Sequence, residues 1–575
     1  MSNNRSVALI LLITAVLLLL MLPVRSQVYR DDFAYAQSVR QFVEFGEVKI
    51  TEWAAPTLVL QVLWGGLFSK IFGFSLGALH PSVIVLLPII LICLFKALQE
   101  LKVSNFNSLA LTILFLSIPF ILQFTYSFQT DIPFLTLEII SIFFFLKAFK
   151  EDRYTYFFLG TVSAMAGFLI RQLAIALILS SLVTVLLQYR KYPKIQLIRI
   201  LLIIILTTFF ILSTYFIWLI TSNNQTITQI SYQNYLIEQI KLFLPFTDVS
   251  VTDRLNLVKI LNHRLVAMFS LSGGLFAIPL VVLLLSNVTK IINSINIKIV
   301  ISGILIVFGL WGIDHYFFTE SFVLGFPIDI YKYDLLIPFS WPVIWKYLVA
   351  IGVLSIILMS ALKISDYKRG KNQIIFLLSL FLLFVFLSIT SKFYWDRYII
   401  VLLPFFIIFI GVKLRSLQAP KALLTAIIII LLIDSLQMNK ARYDINGVAQ
   451  READYLIRDG IPPTKILPNQ EEFWVYWYTF EDQIRNELIT TNNIKELASI
   501  PPIPSNLIRI KYNNGEAYFY LNEYSLLQES DVNKIPMNIN YMTLKEVSIR
   551  SLLVKTKLYS IKINNFTNYK NGSEL

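Results

Sequence analysis

Two adjacent aspartates, Asp31 and Asp32, stand shortly after the first apolar segment, within Arg30-Asp31-Asp32-Phe33-Ala34-Tyr35-Ala36. Paired carboxylates at a membrane surface are costly unless they bind a cation, meet a base or handle a proton. One aspartate can cap a helix. The spacing of Phe33, Ala36, Val39 and Val43 predicts such a helix, amphipathic and lying on the surface, with Gly46 as its stop. A single cap uses a single aspartate, and two neighbouring carboxylates repel, so the second calls for another explanation. It can accept a proton from an incoming hydroxyl as a general base, or share a divalent cation with other acids.

Other residues of the right type are spread along the chain. Asp131, in Gln129-Thr130-Asp131-Ile132-Pro133, opens a later apolar segment, with Pro133 suited to its first turn. Capping is again the plain alternative. Glu52 precedes Trp53, an aromatic suited to the membrane interface. Arg171 falls in a short turn between two apolar segments, where an arginine pairs with an acid or binds an anion. His263 and Arg264 open one later segment, and Asp396-Arg397-Tyr398 opens another. For these the plain alternative is a snorkelling or ion-paired interfacial side chain. A histidine without clustered partners is a weak metal signal.

The elements that must position these groups are membrane helices. The chain has 575 residues, 56% of them hydrophobic and only 15% charged. Soluble domains average about 25% charged residues, so a polytopic membrane protein is expected. The net charge of +13 then reports loop orientation rather than nucleic-acid binding. Cys93 is the single cysteine, so no internal disulfide can form. The first segment exceeds the usual signal-peptide core and lacks a small-x-small cleavage site, which predicts a retained helix.

Apolar runs of spanning length recur at about 7–24, 80–98, 106–125, 131–149, 155–170, 173–189 and 197–220. They continue at about 263–286, 298–313, 342–362, 373–390, 398–412 and 421–437. Segment 56–74 is interrupted by Gly65-Gly66 and Lys70, and reads as a re-entrant or surface helix. With a cytoplasmic amino terminus, every inner loop is basic, as the positive-inside rule requires. Counting 56–74 as a span would invert all later loops. The expected architecture is an all-α polytopic membrane domain of about thirteen transmembrane helices over 1–437, with a catalytic outer loop at about 25–79. A small extracytoplasmic α/β domain follows over 438–575. Its signals are a helix over 441–458 and a hairpin centred on Asn513-Asn514-Gly515. The expected location is the plasma (inner) membrane, with the carboxyl terminus outside.

The order of these pieces resembles a known family. An outer loop opens on an acid pair followed by Tyr35-Ala36, and a glycine-containing stretch follows (Gly65-Gly66, then Phe72-Gly73-Phe74-Ser75). Next come Thr130-Asp131-Ile132-Pro133, Gly167-Phe168-Leu169-Ile170-Arg171-Gln172, and late Arg397-Tyr398 with Pro404. The chain resembles the bacterial GT-C glycosyltransferases of the family 39 type, which are akin to protein O-mannosyltransferases and lipid A aminoarabinose transferases. The resemblance covers roughly residues 1–480 in layout.

The resemblance implies a sugar donor on polyprenyl phosphate, fed from the membrane, and a lipid, glycan or protein acceptor. It puts the general base on Asp31, with Asp32 orienting it or the acceptor hydroxyl, and Asp131 close to the catalytic centre. Arg171 and Arg397 become candidates for the leaving phosphate. Glu52, His263, Arg264 and Tyr398 are further substrate-side candidates. Many relatives have Lys-Pro-Pro after the first loop, where this chain has Glu52-Trp53-Ala54-Ala55-Pro56, which leaves the phosphate ligand open. The resemblance fixes no cofactor, and a divalent metal stays open because metal dependence varies among GT-C enzymes. The alternatives are a secondary transporter, which would carry charges near mid-membrane and paired broken helices, and a non-enzymatic assembly protein for surface polymers.

Overall fold

The computed structural model describes residues 3–22, 32–51, 54–222, 224–244, 250–317, 322–323, 326–327, 342–361, 371–391, 396–415, 417, 420–461, 466–467, 508–512, 517–521, 524–528, 541–551 and 554–563. Asp31 and Glu52 lie outside these residues, and so does the side chain of Arg397.

The apolar runs form helices throughout. The first third contains α1 (Asn3–Met21), α2 (Asp32–Phe45), α3 (Val59–Phe72), α4 (Leu76–Ile84), α5 (Leu86–Glu100) and α6 (Asn105–Leu116). Then come α7 (Pro119–Thr125), α8 (Asp131–Glu151), α9 (Tyr154–Phe168), α10 (Ile175–Leu187), α11 (Lys194–Thr221) and α12 (Ile227–Phe243). The series continues with α13 (Val251–Leu285), α14 (Val288–Ser294), α15 (Ile297–Phe317), α16 (Pro342–Ala361) and α17 (Lys371–Ile389). A 3-10 turn over Asp396–Leu402 leads into α18 (Leu403–Leu414), and α19 (Lys421–Arg458) is the last helix.

Each expected span coincides with one of these helices or with a consecutive pair. Among the described residues, seven helices are long and apolar enough to cross a bilayer, or eight if the bent pair α6–α7 counts as one span. The remaining expected spans fall on helices whose fully described apolar part is shorter, so the count of thirteen is not confirmed. The chain is a multi-pass membrane protein. The α6–α7 pair bends by 64°, with Pro119 in the first turn of α7. Proline at that position lacks the N–H that a continuous helix would use. A few helix starts carry side-chain caps: Ser104 Oγ accepts from the Asn107 amide at 3.3 Å, and Ser250 Oγ from the Asp253 amide at 3.1 Å.

Polar contacts sort by end of the bundle. At one end Gln99 Nε2 donates to Asn3 Oδ1 (2.9 Å) and Asn105 Oδ1 (2.6 Å). At this same end Lys150 meets Glu100 at 2.6 Å and Lys191 meets Asp152 at 2.9 Å. All of these residues come from segments that the loop charges assign to one side. Two of the acids flagged by the sequence, Asp32 and Asp131, lie at the opposite end, described below.

Helix packing inside a membrane depends on close backbone approach at small residues. Helices α13 and α16 meet at Gly273 and Gly352, where a Cβ added to Gly352 would lie 1.9 Å from the Gly273 carbonyl oxygen. Because the obstacle is backbone, Gly352→Ala must push the two helices apart. Its expected cost is about 3 kcal/mol, the upper end of ordinary overpacking, read as a lower melting temperature of the purified protein in detergent. Gly66→Ala is the comparison: there the obstacle is the Phe42 ring at 2.4 Å, a side chain that can turn. A Gly352→Ala protein melting with the wild type would refute this account of the α13–α16 seam.

Helix α19 joins what the sequence separates. Its 38 residues run unbroken across position 437, so the expected last span and the expected helix 441–458 are one element, and the expected domain boundary falls within it. Two short strands, β1 (Phe322–Val323) and β2 (Phe326–Pro327), fall between α15 and α16, and beyond α19 come β3 (Ile466–Leu467), β4 (Ile508–Tyr512), β5 (Ala517–Leu521), β6 (Tyr524–Gln528), β7 (Tyr541–Ser551) and β8 (Val554–Ile563). Strands β4 and β5 pair antiparallel, Ile508 opposite Leu521 and Tyr512 opposite Ala517, which is the expected hairpin. A four-stranded sheet in the order β3-β6-β8-β7 packs on the far end of α19. There Ile445, Val448 and Ala449 are buried with Leu558, and Lys545 meets Glu452 at 2.6 Å. The all-α membrane part with a small C-terminal α/β part is thus observed.

Candidate active site

Asp32 is the first residue of α2, where the helix dipole favours a carboxylate. It is fully buried. Gln129 Nε2 donates to its Oδ1 at 2.8 Å, and His80 Nε2, from α4, stands 3.9 Å from its Oδ2. The chain after α2 leaves through Gly46 at φ +75°, a left-handed stop, and folds back as a strap. Thr51 N donates to Ser38 Oγ at 3.1 Å, and Thr51 Oγ1 donates to the Ala34 carbonyl at 3.2 Å. The connection from α11 to α12 also holds the strap. Asn224 Oδ1 accepts from Ile50 N and its Nδ2 donates to the Val48 carbonyl, both at 3.0 Å, while Thr226 Oγ1 donates to the Ala54 carbonyl at 2.9 Å.

Helix α3 lies beside α2 and is too short to span. Its glycines explain themselves here: Gly65 faces the Phe128 ring and Gly66 the Phe42 ring, each closer than a Cβ would allow. The first turn of α3 bridges two loops. Leu60 N donates to the Leu169 carbonyl at 3.0 Å, two residues before Arg171. Gln61 Nε2 donates to the Phe128 carbonyl at 2.7 Å, one residue before Gln129.

These two loops carry the second acid. Helix α8 begins at Asp131, and the residue before it, Thr130, places no side-chain cap on the helix. Its hydroxyl instead accepts from Arg171 Nε at 2.7 Å, while Arg171 Nη2 lies 2.9 Å from Asp131 Oδ1. The plain capping alternative for Asp131 therefore gives way to a buried ion pair, with Asp131 fully buried and the Arg171 side chain 12% exposed. The guanidinium also sits 6.0 Å from the centre of the Phe134 ring. Gln129, Thr130 and Asp131 are consecutive, so the contacts of Asp32 and of Arg171 fall on one short stretch of chain.

The cluster is under-satisfied. Both oxygens of Asp131 and Nη1 of Arg171 lack a hydrogen-bond partner, as the 2.9 Å ion-pair contact is off the N–H direction. Gln61 Oε1 and Thr57 Oγ1 are buried with no partner. So are both oxygens of Glu138, seven residues along α8 from Asp131 and near enough to Arg171 to feel its charge. Buried polar atoms almost always have partners, and leaving one unmade costs about 1–3 kcal/mol. Several in one place mark a site built to receive polar groups. The acids can accept hydrogen bonds from hydroxyls, and the guanidinium can donate to an anion.

Sequence reasoning missed His80, and it passed over Gln129 and Thr130 while selecting their neighbour Asp131. The signal for His80 was present: it is one of three histidines, at the mouth of an apolar segment. Other candidates stand in other surroundings. His263 and Arg264 are half-buried inside α13, which begins at Val251 rather than at these residues. Arg264 Nη1 donates to the carbonyls of Ile389 (2.7 Å) and Ser391 (2.6 Å), which ties α13 to the end of α17. Tyr398 is half-buried in the 3-10 turn 396–402, which packs against α7, α8, α13 and α17. The backbone of Arg397 belongs to the same turn. Among the described residues, no three His, Cys, Asp or Glu side chains gather in a group able to hold a metal ion.

Comparison with known proteins adds a family match over part of the chain. Residues 60–218 match the model of the family described as dolichyl-phosphate-mannose-protein mannosyltransferase, in agreement with the GT-C resemblance. The matched segment contains His80, Gln129, Asp131 and Arg171. No curated protein sequence matches the chain at a comparable level. Two solved structures are similar at low scores. One is ArnT from Cupriavidus metallidurans bound to undecaprenyl phosphate, with 12% identity, a TM-score of 0.41, and coverage of 98% of this chain and 99% of that one. The other is the same protein in the apo state, with 12% identity, a TM-score of 0.40, and coverage of 97% and 98%.

Proposed function

We propose that this chain, whose residues 60–218 fit the dolichyl-phosphate-mannose-protein mannosyltransferase family, is a GT-C membrane glycosyltransferase. It moves a sugar from a polyprenyl-phosphate donor to a hydroxyl on a lipid, glycan or protein at the outer membrane face. The observation that carries this reading is the buried Asp131–Arg171 pair, next in the chain to the Gln129 that holds Asp32. Glycosyl transfer from a phosphate requires a cation for the departing phosphate and a carboxylate to take the acceptor proton, and this stretch of chain brings a cation and carboxylates together.

In this mechanism the acceptor oxygen attacks the anomeric carbon as the bond from that carbon to the phosphate oxygen breaks. The acceptor proton passes to a carboxylate, and the lipid phosphate departs with the bonding electrons. Asp32, buried and hydrogen-bonded by Gln129, fits the part of an anchor for the start of α2. That leaves its neighbour Asp31 as the base. Arg171 Nη1, with no partner of its own, can donate to the leaving phosphate. Arg397 is proposed as the second cation, beside Tyr398, because their turn packs against α8.

The test is transfer itself. Membranes containing the full chain are given a panel of radiolabelled polyprenyl-phosphate sugars, and lipid, glycan and protein fractions are counted. Label is expected in one fraction in a chain-dependent manner. No label in any fraction, with the chain present and folded, removes the proposal.

A further inference from the structure

At the end of the bundle opposite the acids, a crevice of about 610 Å³ opens between α1, α5 and α8. Its lining changes with depth. Val7, Leu11, Ile92 and Phe143 form a wall toward the middle of the helices. Asn3, Lys96, Gln99, Glu100 and Lys147 stand closer to the helix ends. An apolar wall leading to a polar, cationic mouth matches the profile of a lipid molecule, with its chains along the wall and its headgroup at the interface.

The charges at the mouth decide which headgroup. Glu100 is already neutralised by Lys150 at 2.6 Å. Lys147 is steadied by the Tyr156 hydroxyl at 2.9 Å and shares its charge with Glu151 at 3.9 Å. Lys96 is exposed and has no ion-pair partner among the described residues. The mouth is therefore net positive, with Gln99 beside it as a polar neighbour. We propose that this crevice binds the phosphate-bearing headgroup of an anionic phospholipid from the leaflet at that end, with an acyl chain against Val7, Leu11, Ile92 and Phe143. The site is independent of the transfer reaction, since it lies at the other end of the helices.

The experiment is native mass spectrometry of the purified full chain in neutral detergent, titrated with phosphatidylglycerol, with phosphatidylcholine, or with inorganic phosphate. Phosphatidylglycerol is expected to be retained several-fold better than phosphatidylcholine, with no retention of phosphate alone. Lys96→Gln is expected to weaken retention of phosphatidylglycerol about fivefold, the effect of one lysine near an anionic lipid. Ala8→Trp, on the same lining, is expected to weaken both lipids by filling the crevice. Equal retention of the two lipids would overturn the proposal, as would tight binding of phosphate alone. Retention unchanged in both variants would place the lipid elsewhere and equally refute it.

Discussion

Replacing Asp31 with asparagine is expected to lower sugar transfer by about 10²–10⁴-fold, the usual contribution of a positioned general base. The variant should insert and melt like the wild type. Asparagine keeps the size and loses only the capacity to take a proton. Asp32 gives the contrasting result. Asp32→Leu removes the acceptor of Gln129 Nε2 inside the protein, which strands that amide at a cost of about 1–3 kcal/mol. Asp32→Asn keeps an oxygen for the same bond and should fold nearly as well. The pair therefore divides: one change acts on turnover at constant stability, the other on stability first. The two variants are compared by thermal unfolding in detergent and by transfer rate on the same preparations. Normal transfer by a correctly inserted Asp31→Asn protein would dismiss Asp31 as the base.

Arg171→Met is the second large effect. It leaves Asp131 fully buried without its counter-charge, and breaking a buried pair from one side costs about 3–5 kcal/mol. The Thr130 hydroxyl loses its partner in the same step. The expected result is poor accumulation and a much lower melting temperature. Arg171→Met combined with Asp131→Leu removes both charges and should recover most of that stability, since a buried pair replaced by apolar residues is often neutral. Transfer should stay lost in the double variant, because the proposed phosphate donor is absent. That split separates a structural ion pair from one that also serves the reaction. A stable Arg171→Met protein would show that Asp131 has other support, and recovered transfer in the double variant would exclude Arg171 from phosphate binding.

Several local features were legible in the sequence because their causes are local. The helical spacing after Asp32, its stop at Gly46 and the hairpin over 508–521 all rest on neighbours within a few residues. The helix start at Asp131 was legible for the same reason, but its ion pair was not: Arg171 is 40 positions away in sequence, and only the packing of α8, α9 and α10 brings it back. The contact of His80 with Asp32 was hidden likewise. Two differences of extent share another cause. Residues 251–262 and 438–458 are polar, and polarity reads as loop or separate domain when apolar runs define the spans. Yet both stretches contain good helix formers and no internal proline, so α13 and α19 simply continue past the apolar runs. The i,i+4 pair of Lys440 with Asp444 at 2.7 Å adds to this.

The continuity of α19 gives the molecule a lever. At about 1.5 Å per residue its 38 residues are roughly 57 Å long. It is pinned near its middle: Asn439 Nδ2 donates to the Pro119 carbonyl at 3.2 Å, Lys440 Nζ to the Leu22 carbonyl at 3.0 Å, and the Tyr443 hydroxyl to the Gln123 carbonyl. The ring of Tyr443 meets Tyr126 edge-on at 5.7 Å, and the Tyr126 hydroxyl bonds the Leu18 carbonyl. That fulcrum adjoins the stretch 126–131, which carries Gln129, Thr130 and Asp131. A tilt of about 10° about this pivot would swing the arm beyond it, about 27 Å long, by roughly 5 Å at its tip and by very little at the pivot. The terminal sheet packs on this arm at Ile445, Val448 and Ala449, so a tilt of α19 carries the sheet with it and leaves the stretch beside the pivot almost still.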